Sequence, residues 1–152
     1  MLTVAPVITV APAVSVAPAV GAAPAAAAPG IDPGIQRWFL LIDKARTAFN
    51  DVLLKAEQDI SKGVDTGSCT SLLAATAVIT KRLPELSKIT NGGPAIAAAY
   101  QLSLNEFATV ATACKNHDFA TARSTLGDTT YGAIADYGEA QDTVDEILDA
   151  GA

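Results

Sequence analysis

The segment CTSLLAATAVITKRLPELSKITNGGPAIAAAYQLSLNEFATVATAC, residues 69–114, decides how this chain folds. Leu72, Ala75, Ile79 and Leu83 recur at helical spacing in its first half, and Ile96, Tyr100, Leu104, Phe107, Ala111 and Cys114 in its second. Apolar side chains every three or four residues mark one buried face of a helix. Between the two stripes, Asn91-Gly92-Gly93-Pro94 reads as a turn, with the proline opening the second helix. An antiparallel hairpin of this kind sets Cys69, at the start of one helix, beside Cys114, at the end of the other. One disulfide can therefore close it; two buried thiols are the alternative. If the bond forms, the compartment is oxidising: secreted, surface, periplasmic or an organelle lumen.

Outward from the hairpin, the same spacing predicts two more helices. Asp32-Pro33 supplies an N-cap acid followed by proline at the first helical position. Ile35, Trp38, Phe39, Ile42, Ala45, Phe49, Val52, Leu53, Ala56 and Ile60 follow as a stripe, and Gly63 ends it. The run Trp38-Phe39-Leu40-Leu41-Ile42 is apolar all round the helix, so part of it is surplus to a one-sided core. On the other side, Asp118 caps a last helix running to about Asp149, with Phe119, Ala122, Leu126, Ala133, Tyr137, Ala140, Val144 and Ile147 as its stripe. Gly127 and Gly132 mark a bend or close contacts within it. Pro84 kinks or stops the second helix. The expected architecture is all-α: an up-down-up-down four-helix bundle over residues 31–152, preceded by an arm.

The arm, residues 1–30, repeats in blocks of six, with Pro6, Pro12, Pro18 and Pro24 in register and no charge before Asp32. Proline fixes φ and biases its predecessor to extended geometry, so an extended or disordered segment is expected, not a transmembrane helix. A signal peptide fits poorly, because a basic leader and a long proline-free apolar run are both missing. Disordered linkers are usually polar. This one is apolar, and Val4, Val10 and Val16 would gain from being covered by a partner.

The net charge of −6 is unevenly placed. All ten Lys and Arg lie in residues 1–123, against nine acids; residues 124–152 hold seven acids and no base. Without a basic stripe, neither nucleic acid nor an anionic membrane is an expected partner. Asp142, Asp145, Glu146 and Asp149 fall on one face of the last helix, where they oppose the helix dipole. They form either a solvated face or a functional one, docking a basic partner or binding Ca²⁺ weakly.

Catalytic and cofactor chemistry finds little footing. His117 is the sole histidine, which leaves no site needing two imidazoles and makes a Ser-His-Asp site improbable. Cys114, His117 and Asp118 crowd one turn, but a disulfide consumes Cys114, and no metal is expected there. The Asn91–Pro94 loop lacks the lysine and spacing of a phosphate-binding loop. Haem attachment motifs are missing too, and Tyr100, Tyr131 and Tyr137 read as half-buried bundle residues. No cofactor is expected.

The sequence thus predicts a non-enzymatic structural subunit of a larger assembly. It would dock on protein subunits through the arm (Val4, Val10, Val16) and the helix 1 patch (Trp38, Leu40, Leu41). A carrier of a small apolar ligand or pigment, held between helices facing Phe49 or Phe107, is the second expectation. In architecture, a proline-rich arm ahead of a four-helix bundle resembles the PsbQ-type extrinsic proteins of photosystem II. That resemblance implies a third expectation, an extrinsic lumenal subunit of a photosynthetic complex.

Overall fold

A computed structural model describes the backbone of residues 32–150, with side chains to residue 146. Six helices occur among the described residues: α1 Pro33–Lys62, α2 Ser68–Thr80, α3 Leu83–Ser87, α4 Gly93–Lys115, α5 Phe119–Leu126 and α6 Gly132–Ala150. The extended geometry expected of the arm, and the positions Val4, Val10 and Val16, lie outside the described residues. No helix among the described residues is long and apolar enough to cross a membrane.

The helix ends follow their local chemistry. Asp32 accepts a hydrogen bond from the Gly34 amide at 2.8 Å, with Pro33 in the first turn of α1. Gly63 closes α1 in the left-handed conformation, φ 71°, which glycine adopts without a Cβ clash. Asp118 caps α5 by accepting from the Thr121 amide at 3.2 Å.

The simple four-helix bundle is not what forms. Pro84 lacks an amide hydrogen and cannot extend α2; it instead sits in the first turn of a separate five-residue helix, α3. The long last helix expected from Asp118 to Asp149 is broken into α5 and α6. At the break Gly127 adopts φ 68°, ψ −148°, a conformation closed to helix and to most other residues. Asp128 N–H then bonds the Tyr131 carbonyl at 2.9 Å, closing a tight turn into α6.

The packing is correspondingly not a ring of four equal helices. α4 is the hub: it touches α1, α2, α3 and α5. Ile96, Tyr100, Leu104, Phe107, Val110 and Ala111 of α4 are buried, against Ile35, Trp38, Ile42, Phe49, Ala56 and Ile60 of α1 and Leu72 and Ile79 of α2 in the same core. α6 joins through Tyr137, whose ring meets Phe49 at 5.4 Å and Phe107 at 5.8 Å between centroids. Aromatic pairs at such distances and tilted angles combine large apolar burial with favourable quadrupole geometry.

Candidate functional site

Cys69 and Cys114 are bonded, S–S 1.99 Å and Cα–Cα 6.0 Å, and both are fully buried. The hairpin predicted from sequence is thus closed where its two ends meet. A disulfide of this kind belongs to an oxidising, extracytoplasmic compartment.

A polar network braces the entry to α2 next to that bond. Asp59, nearly buried at the end of α1, accepts from the Thr66 amide at 2.9 Å, the Thr66 hydroxyl at 2.6 Å and the Ser68 hydroxyl at 2.7 Å. Asp65 accepts from the Gly67 amide at 2.9 Å and, more weakly, from Cys69 N–H at 3.5 Å. Asp65, Cys69 and Cys114 converge closely enough to suggest a metal cluster. With both sulfurs joined to each other there is no thiolate to ligate, and Asp65 is already engaged in the turn. The cluster is structural.

The donors around Asp59, Ser68 first and then Thr66, hold its carboxyl down at about 2 from an ordinary 3.8. Its folded value is therefore the lower one. The stability it lends is present above pH 3.8 and is lost as pH falls through about 2. Asp59→Asn is expected to lower the thermal midpoint at pH 7 by roughly 5 °C, since an amide can replace only part of a three-donor acceptor. The gap to the parent should shrink steadily as melts are repeated from pH 5 to pH 2. A gap that stays constant with pH would show that charge at Asp59 is irrelevant.

The helix 1 patch divides in two. Leu40 and Leu41 are 76% and 66% exposed. Trp38 is the correction: it is buried, and its indole Nε1 donates to the Arg82 carbonyl at 2.9 Å, tying α1 to the start of α3. Successive residues point 100° apart on a helix, so a run that is apolar all round must place some members inward and others outward. Trp38, Phe39 and Ile42 are the inward ones. Leu40 borders a surface groove of about 390 Å³ with Gln36, Phe39, Asp43 and Arg46. The Arg46 guanidinium lies 5.2 Å over the Phe39 ring, and its Nε is enclosed without a hydrogen-bond partner among the described groups.

The space a ligand carrier would need, facing Phe49 and Phe107, is occupied. Those two rings meet at 5.2 Å, and Tyr137 lies against both. Tyr100 is buried next to them and donates its hydroxyl to Gln141, while the Tyr137 hydroxyl donates to Asn50 at 3.2 Å. Burial pushes both phenols up, with the nearby Arg46 charge opposing. Tyr131, in the α5–α6 turn, is exposed.

On α6, Asp142, Asp145 and Glu146 are exposed, and the side chain of Asp149 lies outside the described residues. His117 is exposed at φ 60° and stacks on Phe119 at 5.7 Å, beside the capping Asp118. The sequence reading did not single out Glu106 of α4, whose Oε1 is enclosed without a hydrogen-bond partner among the described groups and whose carboxyl is raised to about 7 by burial first and then by Asp136 of α6. Both residues sit one position before an aromatic stripe residue, Phe107 and Tyr137. That adjacency was the available signal, but it does not say which two helices meet.

The chain matches no known family, curated protein or solved structure in the comparisons made. No match supports the resemblance to PsbQ-type proteins, and the simple four-helix bundle on which it stood is not what forms.

Proposed function

We propose that this chain is a non-enzymatic structural subunit of a larger assembly in an oxidising compartment. It docks on protein partners through the exposed Leu40–Leu41 face of α1 together with the apolar arm of residues 1–30. The observation that carries this reading is the exposure of two adjacent leucines, 76% and 66%, just after the arm joins α1. Covering a leucine is worth about 1.5–3 kcal/mol. The folded body covers only a minor part of these two. A partner would take that gain from both together, on a helix held firmly by Trp38, Phe39 and Ile42 beneath. The acidic residues Asp142, Asp145 and Glu146 offer a separate face to a basic partner.

Leu40→Asp or Leu41→Asp is expected to cut the affinity of assembly at least tenfold, while leaving the helical signal and thermal midpoint of the body within a few degrees. Leu54→Asp is the control, since Leu54 is also exposed, at 58%, but comes later in the sequence of α1 than the Leu40–Leu41 pair. Sedimentation of the native complex reconstituted with each variant measures this. Equal losses from Leu40→Asp and Leu54→Asp would reject the patch as a specific surface.

A further inference from the structure

Leu40 and Leu41 do not stand on a neutral face. Arg37 precedes them by three and four residues, and Lys44 follows by four and three, so both bases flank the pair at helical spacing. Both are exposed. Residues 33–50 of α1 carry Arg37, Lys44 and Arg46 against a single acid, Asp43. The end of the chain is the opposite. Residues 124–152 hold seven acids and no base, and Asp142, Asp145 and Glu146 are exposed on one side of α6. None of these charges forms an ion pair with another described residue; the ion pair among the described residues joins Arg82 to Glu85.

The two faces are neighbours. Phe39, next to Leu40, places its ring 6.3 Å from that of Tyr100, and the Tyr100 hydroxyl donates to Gln141, next to Asp142. One turn earlier on α6, the Tyr137 hydroxyl donates to Asn50 of α1 at 3.2 Å. An apolar, basic-flanked face of α1 thus adjoins an acidic face of α6 across one buried ring. An occupant of a single sign, such as an anionic membrane, is repelled by one face as it approaches the other. A second copy of the chain presents both signs. A two-fold axis lays each face of one copy on the opposite face of its partner, so that the same contact forms twice.

Resting on the docking reading above, we infer that the partner of the Leu40–Leu41 face is a second copy of this chain, paired about a two-fold axis. The leucines are covered at the centre. Arg37 and Lys44 of each copy meet Asp142, Asp145 and Glu146 of the other. An apolar centre within a charged rim is the ordinary anatomy of such contacts. Two leucines are too little area for a stable pair, which takes about 800 Å² from each copy, so the charged flanks are covered with them. The net charge of −6 makes distant copies repel. Association is therefore driven by the covered leucines and the local match of unlike faces, which also fixes the register.

The test is sedimentation velocity on the purified full chain across micromolar to millimolar concentrations. The parent is expected to reach the mass of two chains. Two charge reversals follow: Arg37→Glu with Lys44→Glu, and Asp142→Lys with Asp145→Lys and Glu146→Lys. Each alone sets like charges against like and should weaken the dimer by roughly tenfold or more. Mixed in equal amounts, the two should pair with each other, because each supplies the sign the other lost. Both keep the arm, so association through residues 1–30 would survive either change. Every altered residue is exposed, and circular dichroism checks that each variant folds. If one does not, Leu40→Asp, expected to leave a monomer, decides beside the parent. A parent that stays monomeric, reversals that leave the dimer intact, or a mixture that fails to pair overturns the inference. So does a mass that grows beyond two chains, because the contact would then not be two-fold. The docking reading is judged separately: a monomeric parent, with a native complex still weakened by Leu40→Asp, leaves that reading standing and gives the face to a different protein.

Discussion

Replacing Cys69 and Cys114 together by alanine is expected to lower the thermal midpoint by about 15 °C. The bond joins residues 45 apart in sequence, and chain-entropy arguments value such a link at roughly 4 kcal/mol. A domain of this size loses roughly 3–5 °C per kcal/mol. The location adds to the effect. The bond ties the start of α2 to the end of α4, and α4 is the helix on which the others lean. Alanine is the right replacement because both sulfurs are fully buried, and serine would add an unpaired hydroxyl there. Circular dichroism melts of the parent and the double variant measure the difference. A shift under about 3 °C would mean that helix packing alone holds the hairpin and the bond is incidental.

Gly127→Ala is expected to cost about 3 kcal/mol or more. Two independent penalties combine. The backbone conformation at Gly127 is one that essentially only glycine adopts, worth about 1–3 kcal/mol to force on alanine. A Cβ there would also run into the Tyr131 carbonyl, a backbone atom of the same tight turn that cannot simply swing away. Because that turn aims α6 at the core, the variant should lose the near-ultraviolet signal of Tyr137 and Tyr100 as well as stability. Gly138→Ala is the matched control. Gly138 lies in α6 with nothing within 4 Å of an added Cβ, so alanine there should stabilise by up to about 1 kcal/mol. Denaturant titration of both variants gives the comparison, and equal behaviour would remove the special role assigned to the turn.

Much of this was visible in the residues. Asp32-Pro33, Gly63 and Asp118 announce helix ends through short-range chemistry, and each is used as expected. The pairing of Cys69 with Cys114 followed from a hairpin of two local stripes. What failed was the assumption that a continuous stripe means a continuous helix. Phe119 to Val144 keeps its apolar spacing across the Gly127–Gly132 turn, because the same core lies under both α5 and α6. Periodicity reports which side is buried and not whether the axis bends. The patch on α1 misled for a related reason: Trp38 and Leu40 are both apolar, and only the tertiary core, with the Arg82 carbonyl that takes the indole N–H, decides that Trp38 is the one inside. Glu106 could not be singled out because its place before the stripe residue Phe107 does not say which helix covers it or that its Oε1 is enclosed.

The central claim is that this is a docking subunit, and one comparison tests it most directly. Size-exclusion chromatography with light scattering on the native complex should be repeated with a chain lacking residues 1–30 and with Leu40→Asp. The arm-deleted chain is expected to remain helical and cooperatively folded, yet to elute as a free subunit, and Leu40→Asp to give a partly dissociated profile. If both assemble with the parent's mass, residues 1–30 are a passive tether, the exposed leucines serve no partner, and the docking account is wrong.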